Sequence, residues 1–274
     1  MAEAPGQLRP SRIQRQAAEA SKSFLGYMAF VRGMVPAIEE HWAIVERLLH
    51  GGPRELILGA TGIGKTQVVT AWLEWRYGLN PNLRVLYVSE IESGIATDVL
   101  TEVRETIASN ERYVLTFGDL KGDSTKWGVK GFQFRNLVTP EQAERNRRIT
   151  PTPAPPFSWL PPRGRVPGLR GDNGKPVGWR TGFTGQRIDL MVGDDLVSDK
   201  SAYSAALTTR AWNVLHQKAI PRADDAATFR VILLGQTWAP RDMYGMVREK
   251  SCTVFDNNPG REGLEVFGHG EEAA

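Results

Sequence analysis

The chain has 274 residues, 41% of them hydrophobic and 24% charged, enough to bury an ordinary globular core as one large or two small domains. Its net charge of +3 says little about partners, the single Cys252 excludes an internal disulfide, and one Cys with four scattered His residues offers no zinc-ligand spacing. Met1 to Pro5 lacks the charged-then-apolar pattern of a secretory leader, and no apolar run approaches the ~20 residues that cross a bilayer, so a soluble intracellular protein is expected.

Residues 1–11 read as a loose tail, followed by a helical pattern from Arg12 to about Arg32. Pro36 suits a helix N1 position, and Ile38, Trp42, Val45, Leu48 and Leu49 then share one face up to His50. Gly51-Gly52-Pro53 stops that helix. Glu55 to Leu58 is a short apolar run suited to a buried strand, and Gln67 to Arg76 reads as a helix. Arg84 to Val88 is a second buried strand. Ser89 is placed to cap the next helix, with Glu90 and Glu92 in its first turn and an end near Asn110. A further strand is expected near Tyr113 to Thr116, and a hairpin over Lys126 to Val138 with Trp127, Phe132, Phe134 and Val138 as packing positions.

From Arg145 to Arg187 nine basic residues face one acid, Asp172, which is either a polyanion footprint or a solvated loop. Residues 150–180 hold eight prolines, too many for a helix or central strand, so a long loop is expected there. Ile188 to Val192 resumes as a strand, a helix covers about Ala202 to Ala219, and Phe229 to Leu234 is another strand. Strand–helix alternation over 54–110 argues for βαβ units and a parallel sheet.

Between the first strand and its helix lies Gly59-Ala60-Thr61-Gly62-Ile63-Gly64-Lys65-Thr66, which fits G-x-x-x-x-G-K-[ST] at every fixed position. That spacing builds a phosphate cradle: glycines let backbone N–H groups close on the β-phosphate, Lys65 reaches β- and γ-oxygens, and Thr66 offers a hydroxyl to Mg²⁺. The strand from Ile188 ends in Asp194 and Asp195. At the ligand-binding edge of a parallel sheet, Asp194 would hold Mg²⁺ and Asp195 would polarise the attacking water. Two strands, 84–88 and 113–116, intervene, which suits nucleotidases that insert a strand between the two motifs. The strand ending Leu234-Gly235 would carry Gln236 and Thr237 toward the γ-phosphate if it is central.

Together these residues resemble the ATPase domain of the large terminase subunit of tailed bacteriophages. The likeness runs from about Phe30 to Glu249. It includes Pro81 to Ser89, Phe117-Gly118-Asp119-Leu120 with Lys126-Trp127 and Phe132, and Gly185 to Leu190 leading into Asp194 to Val197. Gly235-Gln236-Thr237-Trp238-Ala239-Pro240-Arg241-Asp242-Met243-Tyr244-Gly245 resembles the family's coupling motif.

The resemblance implies an α/β P-loop NTPase of the ASCE/RecA-like kind, with a mainly parallel sheet flanked by helices. Its domain would span 34–250, after an N-terminal tail and helix at 1–33, with a basic Pro-rich insertion at 145–187 and a short tail at 251–274. It also implies an ATP-hydrolysing motor using ATP and Mg²⁺ to drive double-stranded DNA into a prohead. The partners would be the portal, the small terminase subunit and other copies of itself on the portal ring, in the cytoplasm of the infected bacterial host, with no membrane. Gln236, Thr237 and Trp238 would couple nucleotide to DNA, and His41 takes the place of the adenine contact or is an exposed helix histidine.

Three departures stand out. Asp195 replaces the usual Glu. Ala60 and Thr61 stand where many members carry a basic residue, which makes Arg145, Arg147 and Arg148 candidates for a finger supplied in trans. The stretch after the coupling motif is too short for the family's nuclease domain, so nuclease activity is not expected; a separately encoded nuclease or a truncated chain would account for that. Arg163, Arg165, Arg170 and Lys175 are candidate DNA contacts. The competing readings are a nucleotide-binding packaging or assembly factor with little turnover and a helicase-like ATPase.

Overall fold

Parallel strands buried on both faces need apolar residues at odd and even positions alike, and the chain supplies such runs four times. The computed structural model describes residues 11–135, 165, 169–180, 187–225, 228–239, 242–248 and 253–257. The strands are β1 (Arg54–Gly59), β2 (Val85–Ser89), β3 (Trp127–Gly128), β4 (Gly131–Phe132), β5 (Gly174–Gly178), β6 (Leu190–Asp194), β7 (Arg230–Gly235) and β8 (Thr253–Asn257). They form one sheet in the order β3-β4-β5-β2-β6-β7-β1-β8, parallel from β5 to β8, with an antiparallel β3–β4 hairpin at one edge.

Alternate residues serve opposite faces. Ile57, Val85, Tyr87, Val192 and Ile232 face the core formed with α2 (Phe24–Tyr27), α3 (Glu39–His50), α4 (Lys65–Leu79), α5 (Ile95–Ser109) and α6 (Glu111–Phe117), while α1 (Arg12–Lys22) lies against α2 and α6. Leu56, Leu86, Met191, Val231 and Leu233 face α7 (Asp199–Ala202), α8 (Ala205–Val214) and α9 (Met243–Arg248). The protein is thus an α/β molecule with a mostly parallel sheet between helices.

Several elements differ from the sequence expectation. The first helix breaks at Ser23 and continues as α2 and a π-helical turn over Met28–Arg32. This segment is no mere appendage to the domain: Phe24, Tyr27, Met28 and Val31 belong to the main core. Pro36 lies outside α3, whose N-cap is Ile38. Ser89 ends β2 instead of capping α5, which begins after Gly94 with Asp98 in its first turn. The strand expected at Tyr113 to Thr116 is α6, because the Asn110 side chain accepts the N–H groups of Arg112 and Tyr113 and starts a helix. The helix expected over 202–219 is divided into α7, α8 and a π-helical turn at Leu215–Ala219.

The Pro-rich segment contributes an interior strand. Pro176 sits in β5 opposite Tyr87 of β2, while β4 reaches only Gly174 on the other side. Beyond that point β5 has no second strand partner among the described residues, so a proline facing that side forfeits no ladder bond. Asn173 anchors the strand: its amide donates to Pro81 O and Leu83 O at 2.7 and 3.0 Å, and its Oδ1 accepts Phe134 N–H at 2.9 Å. Residues 253–257, expected in the C-terminal tail, pair with β1 as β8. Val138 lies outside the described residues.

Candidate nucleotide site

Strand ends place the site. In a parallel sheet the segments leaving β1, β2, β6 and β7 emerge at one edge, and these carry Gly59–Thr66, Glu90, Asp194–Asp195 and Gln236–Trp238. The strand between β1 and the acidic strand β6 is β7, neither of the two segments expected to intervene.

The glycine-rich loop turns through Gly62 and Gly64, at φ of +88° and +81°, where a side chain would strain the backbone. Lys65 closes it from within: Nζ donates to Gly59 O at 2.8 Å and Ala60 O at 2.9 Å. Burial lowers the ammonium pKa, opposed by the charges of Asp194 and Asp195. His41 braces the loop from α3. Its Nδ1 accepts Ala37 N–H at 3.2 Å, which leaves the proton on Nε2 to be donated to Ile63 O at 2.7 Å. His41 is therefore held against the loop and is not a free helix histidine.

Asp194, 1% exposed, is the last residue of β6. Its Oδ2 accepts two hydroxyls, Thr66 Oγ1 and Tyr87 Oη, each at 2.8 Å. Desolvation, aided by the charge of Asp195, pushes its carboxyl up to about 6 against those two donors and Lys65. Asp195 is exposed and has φ of +44°, the one described non-glycine residue in the left-handed region. Its carboxyl is also raised by desolvation, with Lys65 pulling the other way.

Gln236 leaves β7 between these two motifs, and its Oε1 accepts the Thr61 hydroxyl, a contact across 175 residues of sequence. Thr237 Oγ1 is buried without a protein partner. Trp238 is 39% exposed, and its N–H donates to Asp242 Oδ2 at 2.8 Å. Asp242 in turn caps α9 by accepting Gly245 N–H at 2.9 Å.

The described residues among the remaining candidates are not gathered at this edge. Arg165 is 2% exposed, and its guanidinium donates to Leu169 O and Gly171 O, so it ties a loop together and cannot contact DNA from that position. Arg170 is exposed and Lys175 half-buried in β5. Arg145, Arg147, Arg148 and Arg163 lie outside the described residues.

Thr66 and Asp194 supply the hard oxygen donors that suit Mg²⁺. Among the described residues no cluster of three or more His, Cys, Asp or Glu side chains could hold a metal ion. The pair therefore fits an ion that takes its other ligands from phosphate and water. Tyr87 is a site residue that the sequence motifs do not include. A tyrosine inside a fully buried strand needs a partner for its hydroxyl, and that is the signal the sequence offers. Among the described residues no helix is long and apolar enough to cross a membrane. Neither a family model nor a curated protein matches the chain.

Proposed function

We propose that this protein is a P-loop NTPase that hydrolyses Mg²⁺–ATP and serves as the motor subunit of a phage DNA-packaging terminase. The observation that carries the hydrolase reading is the 2.8 Å hydrogen bond from Thr66 to Asp194. It joins the lysine–threonine end of the glycine-rich loop to the acidic strand, 128 residues later, across the intervening β7. The order and spacing of the motifs from Phe30 to Glu249 support the motor reading.

In this mechanism the loop's backbone N–H groups and Lys65 hold the β- and γ-phosphates. Bound beside Thr66 and Asp194, Mg²⁺ would neutralise charge on the phosphate oxygens. Asp195 orients the attacking water and accepts its proton, while Gln236, tied to Thr61, reports the state of the loop to Trp238 and α9. His41 braces the loop next to the nucleotide.

The test is steady-state ATP hydrolysis with Mg²⁺, with and without double-stranded DNA. Wild type should turn over and be stimulated by DNA, and Lys65→Ala should lose at least ~10²-fold in kcat with its fold intact. Near-wild-type hydrolysis by Lys65→Ala would remove the loop as the active site. The shorter Asp195 favours a second reading, a nucleotide-binding packaging factor; tight binding of Mg²⁺–ATP with no turnover would select it.

A further inference from the structure

Asp195 holds an unfavourable backbone conformation, and the groups around it explain how. Its carbonyl accepts the Glu90 N–H at the end of β2, at 3.3 Å. The next residue, Leu196, is pinned twice: its carbonyl accepts Trp179 Nε1–H at 2.8 Å, and its N–H donates to Tyr244 Oη at 2.9 Å. Leu196, Trp179 and Tyr244 are all buried. Three separate elements therefore fix the turn that presents the carboxylate, and a residue held at positive φ by such contacts marks a position where geometry is over-determined.

Tyr244 differs from the other two pins because its hydroxyl has a second partner. Having accepted from Leu196, it donates to Leu234 O at 2.8 Å, on the strand that continues into Gln236. One oxygen thus sets the acidic turn and the end of β7 at a fixed separation. The ring reaches this place because residue 235 is glycine; a Cβ there would lie 2.2 Å from the ring's Cζ. We infer that Tyr244 is a positioning residue for hydrolysis: through its hydroxyl it holds the Asp195 carboxylate in register with Gln236 and the glycine-rich loop. This rests on the hydrolase reading above.

The test is Tyr244→Phe, which keeps the ring and removes only the oxygen. Assayed below its unfolding midpoint, it should lose about tenfold or more in kcat, since small misplacements of a reacting group are costly, while KM and Mg²⁺–ADP affinity stay within about twofold. Amide exchange at Leu196 should accelerate without nucleotide. In an Asp195→Asn background the same change should leave the residual rate unaltered, because no carboxylate remains to be positioned. A kcat equal to wild type, or a full additional penalty in the Asp195→Asn background, would overturn the inference and leave the hydrolase reading standing. If wild type itself binds ATP without turnover, the hydrolase reading fails and the catalytic role of Tyr244 falls with it, whatever the exchange data show.

Discussion

On the proposed hydrolase reading, Asp195 would serve chemistry at a cost to stability. At φ of +44° it sits where glycine is comfortable and most side chains are not. Asp195→Gly should therefore raise the unfolding free energy by up to about 1 kcal/mol or leave it level, while abolishing the proposed ATP turnover. A loss of stability comparable to that of a core mutation would show that the carboxylate also holds the fold together. Asp194 is the opposite case. Its two hydroxyl donors and its burial fix it as part of the framework, and the same donors leave an oxygen pair suited to a divalent cation. Local spacing reveals both carboxylates, but not which one is strained. The positive φ depends on contacts from Glu90, Trp179 and Tyr244, which are remote in sequence.

Among the elements, α4 ties the glycine-rich loop to the N-terminal segment. Glu74 on α4 is fully buried, accepts Tyr27 Oη–H at 2.8 Å and pairs with Arg32, which also reaches Thr106 and Glu102. Desolvation raises its carboxyl to about 7, against the pull of Arg32 and its hydrogen bonds. The unfolded chain holds this group near the ordinary value of 4.5, so between the two values the native state binds more proton and its stability falls as pH rises. Below that window the group contributes no difference, and above it the full penalty remains. Glu74→Gln should thus gain stability over wild type on going from pH 4.5 to 7, by up to about 3 kcal/mol, the pull of Arg32 being already contained in the raised value. Thermal melts across this range check it; a variant increasingly destabilised relative to wild type as pH rises would mean that the charge itself is what α4 needs. The glycine-rich start and apolar run of α4 are legible in the sequence. That Tyr27, 47 residues earlier, supplies a partner to a glutamate in that run is not.

For the whole molecule, the edge carrying the site and the basic residues of β5 and its approach are separate regions of one sheet. If Arg170 and Lys175 neutralise DNA phosphates, replacing both with Ser should weaken binding irrespective of base sequence. It should also reduce the log–log salt slope by about 0.9 for each phosphate no longer neutralised. Basal ATPase should persist, since both residues lie outside the glycine-rich loop and the acidic strand. An unchanged slope would assign both residues to the solvated surface. Arg165→Ser should behave differently, lowering stability through its loop carbonyls instead of changing the salt slope.

Sequence was sufficient for the α/β class, the glycine-rich loop, the strand that ends in Asp194 and the strand that leads into Gln236. Each of these is a local pattern: an apolar run of strand length, followed by residues whose chemistry depends on near neighbours in the chain. Packing between distant segments settled the remainder. Pro176 became part of an interior strand because β4 pairs with β5 only at Gly174 and asks for no N–H at position 176. Tyr113 became helical because Asn110 caps its turn. Arg165 was buried by carbonyls of its own loop. The insertion of β7 between β1 and β6 brought Gln236 to Thr61, and the burial of Tyr244 over Gly235 tied Asp195 to that same strand. Strand order and the partners of buried polar groups arise from contacts between segments far apart in the chain, and no local spacing encodes them.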